Sequence, residues 1–486
     1  MFDTISTYWP HILVALSIGL GVPAAIHATM TKEEVRSAIG WVGVILLSPV
    51  VGALIYLVGG VNRIRRKTLN FSREGLLAGG WDHVEEYDVT NEHMQVTYSG
   101  ALASMQRLGD RVGRCKLTSG NRINLLSTGD EAYAAMLAAI DAAERCVLLE
   151  TYIFDRDPAG KRFVQALSRA VTRGVEVRVL IDAVGARYSI PSIVADLERA
   201  NVPTEVFNGN IVMGLRLPYA NLRTHRKILV VDGSVAFTGG LNIRAGFCAE
   251  FSGEAAALDT HFRVTGPIVG DLFRIAYEDW RFSGGEDLQG PAWHIAPPPD
   301  AAGSGMLARV VPSGPDKSLE TNHRMLMGAV SVAKKHIRIM SPYFLPDREL
   351  ISAIVTAARR GVEIDIVVPS SNNLKLVDLA MTAQFDQLLK HGCRIWRASG
   401  AFNHSKLTIV DGAWSYIGSS NIDPRSLRLN FEVDIEVVDP DFADIIGHRI
   451  AAALSQAEQV KLDALRARPF ARRLVERITW LGSPYL

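Results

Sequence analysis

The sequence predicts an α/β protein in which one strand–helix–strand unit occurs twice, carried behind two N-terminal transmembrane helices. Three observations predict it. The segment from Cys146, "CVLLETYIFDRDPAGKRFVQALSRAVTRGVEVRVLIDA", and the segment from His336, "HIRIMSPYFLPDRELISAIVTAARRGVEIDIVVPS", share one plan of apolar strand, amphipathic helix, Gly and apolar strand. "THRKILVVDG" from Thr224 returns as "NHSKLTIVDG" from Asn403. Residues 4–31 and 37–62 contain no Asp, Glu, Lys or Arg.

Each uncharged stretch exceeds the roughly 20 apolar residues that cross a bilayer. A secretory signal would open on a basic region, whereas this sequence opens Met1, Phe2, Asp3. Gly43, Pro49, Gly52, Gly59 and Gly60 are awkward in a soluble helix but tolerated in a membrane one. Buried helices of a soluble domain are the competing reading, disfavoured because two such stretches lie side by side. Arg63, Arg65, Arg66 and Lys67 follow the second stretch, against Lys32 and Arg36 in the short connector. The positive-inside bias therefore puts everything after residue 62 in the cytoplasm. Trp9, Trp41 and Tyr56 are candidate interfacial anchors.

Downstream, the expected organisation is a membrane anchor (1–70), a connector (71–120) without an interpretable motif, a first α/β domain (121–283), a linker (284–305), a second domain (306–440) and a C-terminal helical segment (441–486). Gly174 and Gly361 fall where a left-handed helix cap is wanted. Strands alternating with helices of this length indicate βαβ units on a mostly parallel sheet. The matched offsets, Gly174 to Gly361 and His225 to His404, indicate duplication of a whole domain. The Pro- and Gly-rich run "SGGEDLQGPAWHIAPPPDAAGSG" marks the linker. Lys plus Arg (52) balances Asp plus Glu (51), for a formal charge of +1, which argues against a nucleic-acid partner. The scattered Cys115, Cys146, Cys248 and Cys393 have neither zinc-site nor disulfide-framework spacing.

The repeated motif carries the chemistry. In an extended strand His225 and Lys227 project the same way, as do His404 and Lys406. Asp232 and Asp411 fall on the opposite parity beside a Gly, which suits a loop-positioning role and not substrate contact. Downstream the copies match again, with Gly239, Gly240 and Asn242 against Gly418, Ser419 and Asn421. Small residues let backbone amides approach an anion, and Asn adds a neutral donor. Aligning "LDTHFRVTGP" with "FEVDIEVVDP" pairs Asp259 with Glu432, carboxylates of the kind that fix a histidine tautomer. A lone His-x-Lys is often only a solvated strand edge; two copies with matched flanks are a far stronger signal. A metal is disfavoured, because the Lys beside each His repels a cation and neither motif has ligand spacing. Two histidines, two lysines and two asparagines meeting at one point make a phosphodiester site, in which one His attacks phosphorus and the other protonates the departing alkoxide, with no cofactor.

At these residues the sequence resembles the phospholipase D superfamily and, within it, the bacterial cardiolipin synthases. The resemblance extends from the N-terminal apolar stretches through "RTHRKILVVDG", "FTGGLNIR" and "MSPYFLP" to "HSKLTIVDGAWSYIGSSNIDPRSLRLNFEV". It implies two α/β/α sandwiches related by a pseudo-two-fold axis with the site at their interface. By the same resemblance His225 is the nucleophile and His404 the general acid, and "RSLRLNFE", with Arg425, Ser426, Asn430 and Glu432, lines the headgroup end. The implied reaction joins two phosphatidylglycerol molecules into cardiolipin and glycerol at the cell inner membrane. A hydrolytic phospholipase D, another phosphatidyltransferase, a related nuclease and a non-catalytic lipid-binding scaffold are the alternatives, and the donor, phosphatidylglycerol or phosphatidylethanolamine, and the oligomeric state are left open. In the last segment, Phe470, Leu474 and Ile478 form an apolar stripe flanked by Arg472, Arg473 and Arg477. Both a membrane-surface helix and a helix packed on the second domain fit that pattern.

Overall fold

A computed structural model describes residues 2–32, 34–61, 85–208, 222–295 and 305–483. The N-terminal segment up to Arg65 and the bulk of the chain form separate compact units.

In the N-terminal unit, helix Phe2–Thr31 contains, among the described residues, the one run long and apolar enough to cross a membrane. The second uncharged stretch departs from expectation. It is a helix Val35–Leu47, a break at Ser48, and a helix Pro49–Ile55 that runs into a π-turn, Tyr56–Gly60. Pro49 supplies no N–H and its ring displaces the preceding turn, so the helix ends before it. Trp41 and Tyr56 are also not free anchors: their rings meet edge-on at 5.2 Å, and the Tyr56 hydroxyl lies 2.8 Å from His27 Nδ1. The basic run Arg63–Lys67 lies outside the described residues.

The larger unit is built on one mixed sheet. Its first-half strands are β1 (Thr118–Leu126), β2 (Cys146–Thr151), β3 (Glu176–Asp182), β4 (Thr204–Phe207), β5 (Arg223–Thr224), β6 (Ile228–Val231), β7 (Val235–Gly239) and β8 (His261–Thr265). The second-half strands are β9 (Met306–Ser313), β10 (His336–Met340), β11 (Glu363–Pro369), β12 (Arg394–Ala398), β13 (Leu407–Val410), β14 (Trp414–Gly418), β15 (Asn430–Val438) and β16 (Ala457–Gln459). Their order across the sheet is β16-β12-β11-β10-β13-β14-β15-β9-β1-β8-β7-β6-β2-β3-β4, with β5 alongside β15. Apart from the appended β16, the order reads the same from either end.

The halves meet at the antiparallel pair β1–β9, where Thr118 opposes Ala308. The sheet is less parallel than βαβ units alone imply. Parallel pairing is confined among the described strands to β2-β3-β4, β10-β11-β12 and the short β5–β15 contact, because β6-β7 and β13-β14 are hairpins turned at Asp232-Gly233 and Asp411-Gly412. Helices Pro158–Thr172 and Arg348–Arg359 end in equivalent caps: Gly174 and Gly361 adopt φ of 85° and 94°, and the next N–H bonds back to Ala170 and Ala357 at 3.1 Å.

Helix Pro440–Leu454, assigned to the C-terminal segment on sequence, is instead the counterpart of Ile268–Phe282. Phe442, Ile446 and Ile450 join Phe262, Leu272 and Val433 in one core shared by both halves. Residues 85–117 are also more than a connector: helices Asn91–Thr97 and Gly100–Val112 bring Met94, Ala103 and Met105 into the second-half core with Met325 and Ala329. All four cysteines are free and buried.

Between His225 and Lys227, the fully buried Arg226 ties the halves together. Its guanidinium bonds Asp279 of the first half and the carbonyls of Glu432 (3.0 Å) and Ser313 (3.4 Å) of the second. Removing one member of such a pair strands a buried charge. Arg226→Ala is expected to destabilise the protein by about 3–5 kcal/mol, read by thermal or denaturant unfolding of detergent-solubilised protein, with the exposed Arg324→Ala as a near-neutral control.

Candidate active site

Each His-x-Lys segment leads into a hairpin of its own half but is hydrogen-bonded to the other half. β5 pairs with β15, and the His225 N–H donates to the Phe431 carbonyl at 2.8 Å. In mirror fashion Asn403 bridges to Leu258, and the His404 N–H donates to the Leu258 carbonyl at 2.7 Å. The side chains repeat the exchange. Nδ1 of His225 lies 2.9 Å from Glu432 Oε2, and Nδ1 of His404 lies 2.8 Å from Asp259 Oδ2. With Nδ1–H donating to carboxylate, each Nε2 is left for the substrate side. Both histidines line one cavity of about 530 Å³, together with Asn242 and Asn421.

The lysines flank this pair unequally. Lys227 Nζ donates to the His225 carbonyl at 2.6 Å, whereas Lys406 Nζ bonds the His404 carbonyl and also lies 2.7 Å from the ring Nδ1. Asp232 and Asp411 sit away from the cavity at the hairpin tips, with φ of 50° and 52°. Asp232 accepts from the N–H groups of Glu144, Arg145 and Cys146, and Asp411 from those of Lys334, Lys335 and His336, all at 2.7–3.0 Å. They clasp the start of the neighbouring strand to the turn.

The small residues do a different job from the one their spacing suggested. The Gly240 N–H donates to Thr260 O (2.9 Å) and the Ser419 N–H to Val433 O (3.0 Å), so neither amide is free for an anion. A Cβ at Gly240 would fall 2.1 Å from Asp259 Oδ1, and the Ser419 hydroxyl donates to Glu432 at 2.6 Å. Gly239 and Gly418 lie within β7 and β14, where a Cβ would strike the next strand at 2.6 and 2.4 Å. These positions seat the histidine-binding carboxylates; they do not cradle phosphate. Asn242 Oδ1 accepts from the Ile153 N–H at 3.1 Å.

Comparison with known proteins recovers the duplication. The family described as "Cardiolipin synthase, PLD-like domain" matches residues 136–260 and 326–452, so each match holds one half's motif. The family "Phospholipase D-nuclease N-terminal" matches residues 19–60. The chain belongs to the phospholipase D-like cardiolipin synthase family. A cardiolipin synthase of Alkalihalophilus pseudofirmus is 32% identical over 92% of this chain and 88% of that protein. Cardiolipin synthase A of Pseudomonas fluorescens is 31% identical over 99% of each. Among solved structures, phosphatidylserine synthase of Haemophilus influenzae Rd KW20 superposes with a TM-score of 0.61, covering 79% of this chain and 100% of that one; at 15% identity the likeness is one of fold.

For a cardiolipin synthase family member, the pocket holds several residues that motif reading missed. Tyr152 meets the His225 ring edge-on at 4.9 Å, and Tyr343 meets His404 at 5.8 Å with its hydroxyl on Asn373. Their signal was present as "TYIF" and "PYFL", at one position of the duplicated unit. Arg223 and Arg244 add positive charge at the wall, beside Arg425, Ser426 and Asn430, the residues expected at the headgroup end from the sequence. Among the described residues, His323, Asp347 and Glu349 come near enough to share a cation, but Asp347 already caps Leu350 and binds His323, and none of the three lines this cavity.

Burial governs the charge states. It pushes His404 down to about 4, helped by Lys406 and opposed by Asp259, and it lowers His225 against the pull of Glu432. Burial also brings Lys227 to about 7, although Glu432 resists, and lowers Lys406. For Asp259 and Glu432 burial works against ionisation, but the adjoining lysine and histidine outweigh it and hold both below the ordinary range. At neutral pH the resting pair is therefore neutral imidazole on carboxylate. A histidine that stays neutral when folded but protonates near 6.5 when unfolded makes the unfolded state bind more protons below that value. Stability is accordingly expected to fall as pH drops from about 6.5 towards 4. His404→Gln is expected to flatten the slope by up to about 1.4 kcal/mol per pH unit, one proton's worth, measured by unfolding the two proteins across that window.

Proposed function

We propose that this protein transfers a phosphatidyl group from one phosphatidylglycerol to the terminal hydroxyl of another, releasing glycerol and forming cardiolipin. The observation that carries the reading is the crossed pair of His–carboxylate dyads opening into a single cavity. His225 Nε2 attacks phosphorus, and the bond to the leaving glycerol oxygen breaks as His404 Nε2–H gives that oxygen its proton. The product is a phosphatidyl-histidine at His225 with neutral His404. The second phosphatidylglycerol hydroxyl then gives its proton to His404 and its oxygen to phosphorus, freeing His225. One phosphodiester replaces another, so no energy-rich co-substrate is consumed.

The charge pattern supports these roles. Ionised Asp259 and Glu432 offset the lysines at rest, and an arriving phosphodiester anion raises the proton affinity of Lys227 and His404. Lys406 against the His404 ring makes that imidazolium a strong acid, suited to the leaving group. Lys227, Lys406, Asn242 and Asn421 are the proposed stabilisers of the five-coordinate phosphorus. Phe247, Leu345 and Phe402 supply an apolar wall that suits a lipid acceptor over water.

The matching strand orders support two α/β/α halves related by a pseudo-two-fold axis. On the same reading the protein works at the inner membrane from the cytoplasmic side. Helix Phe470–Leu481 supports that setting: Glu476 is its buried residue, bonded to Arg468 at 2.6 Å, while Phe470, Leu474, Val475 and Ile478 are exposed beside Arg472 and Arg473. An outward apolar stripe flanked by arginine suits an anionic lipid surface.

Purified full-length protein in phosphatidylglycerol vesicles with EDTA present is expected to yield cardiolipin and glycerol in equal amounts. His225→Ala and His404→Ala are each expected to lower turnover by roughly 10²-fold to 10⁴-fold while the protein stays folded, as a cooperative thermal unfolding transition shows. Rapid quenching with radiolabelled lipid is expected to trap the adduct on His225; an adduct on His404 reverses the roles. Phosphatidic acid as the main product favours the hydrolase reading.

A further inference from the structure

The second uncharged stretch folds back on itself. Trp41 and Tyr56 would stand about 22 Å apart along a straight helix, yet their ring centroids are 5.2 Å apart. A Cβ on Gly52 would fall 2.3 Å from the Val44 carbonyl oxygen, so the two short helices touch where only glycine fits. At the open end, Lys32 Nζ donates to the Gly60 carbonyl at 2.5 Å, which places the end of the stretch beside the end of helix Phe2–Thr31. At the closed end, Pro49 lies against Gly21, whose Cβ would be 2.9 Å from the proline ring. Gly21 is about 16 Å along the helix axis from Lys32. A hydrocarbon core measures about 30 Å.

We propose that residues 35–60 form a re-entrant helical hairpin that enters and leaves the bilayer through the same face and reaches about its midplane, leaving helix Phe2–Thr31 as the crossing segment. Length supports this division, since that helix has 30 residues and measures about 45 Å, whereas Val35–Leu47 has 13 and rises about 20 Å. The reversal is also short. Only Ser48 leaves helical geometry; its N–H donates to Val44 and its carbonyl accepts from Gly52, and Pro49 has no N–H to satisfy. The outer surface is apolar, with Leu46, Leu47, Val51, Leu54 and Leu57 exposed. Inside, Ala28, Ile45 and Tyr56 form the cluster that holds hairpin to helix.

The hairpin also gathers charge. Two full crossings would put Lys32 and Arg36 on the opposite face from Arg63, Arg65, Arg66 and Lys67. A hairpin lets the chain leave at Val61 on the face that carries Lys32, so all six basic residues belong to one side. The positive-inside bias then makes that side cytoplasmic and sends the Asp3 end across the membrane.

Single cysteines introduced into the full-length protein decide the matter, using a membrane-impermeant maleimide on right-side-out and inside-out vesicles. The native cysteines are buried and give a low background. His448→Cys, at an exposed site of the large unit, reports the side of that unit. Glu34→Cys is expected to react from the same face as His448→Cys, and Asp3→Cys from the opposite face. Two full crossings give the reverse pattern: Glu34→Cys labelled opposite His448→Cys, or Asp3→Cys on its side, overturns the proposal. Where Glu34→Cys is shielded on both faces, Asp3→Cys decides alone, with detergent-solubilised protein as the reactive control.

Discussion

The site depends on an exchange: each histidine is held by a carboxylate from the opposite half. Neither half is complete by itself. His225 without Glu432, or His404 without Asp259, would be a buried imidazole with no partner to fix its tautomer. The backbone makes the same exchange one residue away, through Phe431 and Leu258. These hydrogen bonds set the registration of the halves, which the β1–β9 edge contact alone, with its register shift between Thr118 and Asn121, would hold less firmly. A shared core of Phe262, Ile268, Val433 and Phe442 then makes separation of the halves costly in apolar area as well.

This dependence explains features that otherwise look redundant. Asp232 and Asp411 take up left-handed backbone and three amide hydrogen bonds each, tying the ends of β6 and β13 to the starts of β2 and β10. Gly240 is small because the Asp259 carboxylate occupies the space a side chain would need. Arg226 lies between His225 and Lys227 yet points away from the cavity, binding both halves at once. Its counterpart Ser405 is fully buried and carries no charge, so the ion pair belongs to one side of the repeat.

Much of this was legible in the sequence because duplication supplies its own control. Residues matching in both copies, the His-x-Lys pairs and the Asp259/Glu432 pair, separate chemistry from chance. What the repeat does not encode is which copy partners which: period-two alternation puts His225 and Lys227 on one side of a strand but is silent on the strand opposite. The hairpin at "VVDGSVAF" carried a recognised signal, Asp-Gly between apolar runs, yet the helical crossovers pulled the reading towards a parallel sheet. In the N-terminal stretch, composition is the same for a crossing and for a hairpin; only Ser48-Pro49 and Gly52 hinted at the bend. For helix Phe470–Leu481 the stripe was visible but its direction was not, since the buried member is a glutamate held by Arg468.

The halves, equal in plan, are unequal in detail, and the proposed division of labour follows from that inequality. Glu432 is held from three sides, by His225, the Ser419 hydroxyl and the Asn430 amide at 3.3 Å. Those bonds fix His225 in one tautomer with Nε2 unprotonated, the state a nucleophile needs. Asp259 has His404 and the Thr260 N–H, with Gly240 in the place of a donor. Lys406, pressed on the same ring nitrogen, competes with His404 for that carboxylate, at 3.8 Å from it. The His404 proton is thus held less tightly, and an imidazole whose proton affinity varies with the charge around it suits the group that must gain and lose a proton within each turnover. A mirror-perfect site would give both rings the same proton affinity and leave attack and proton donation to chance.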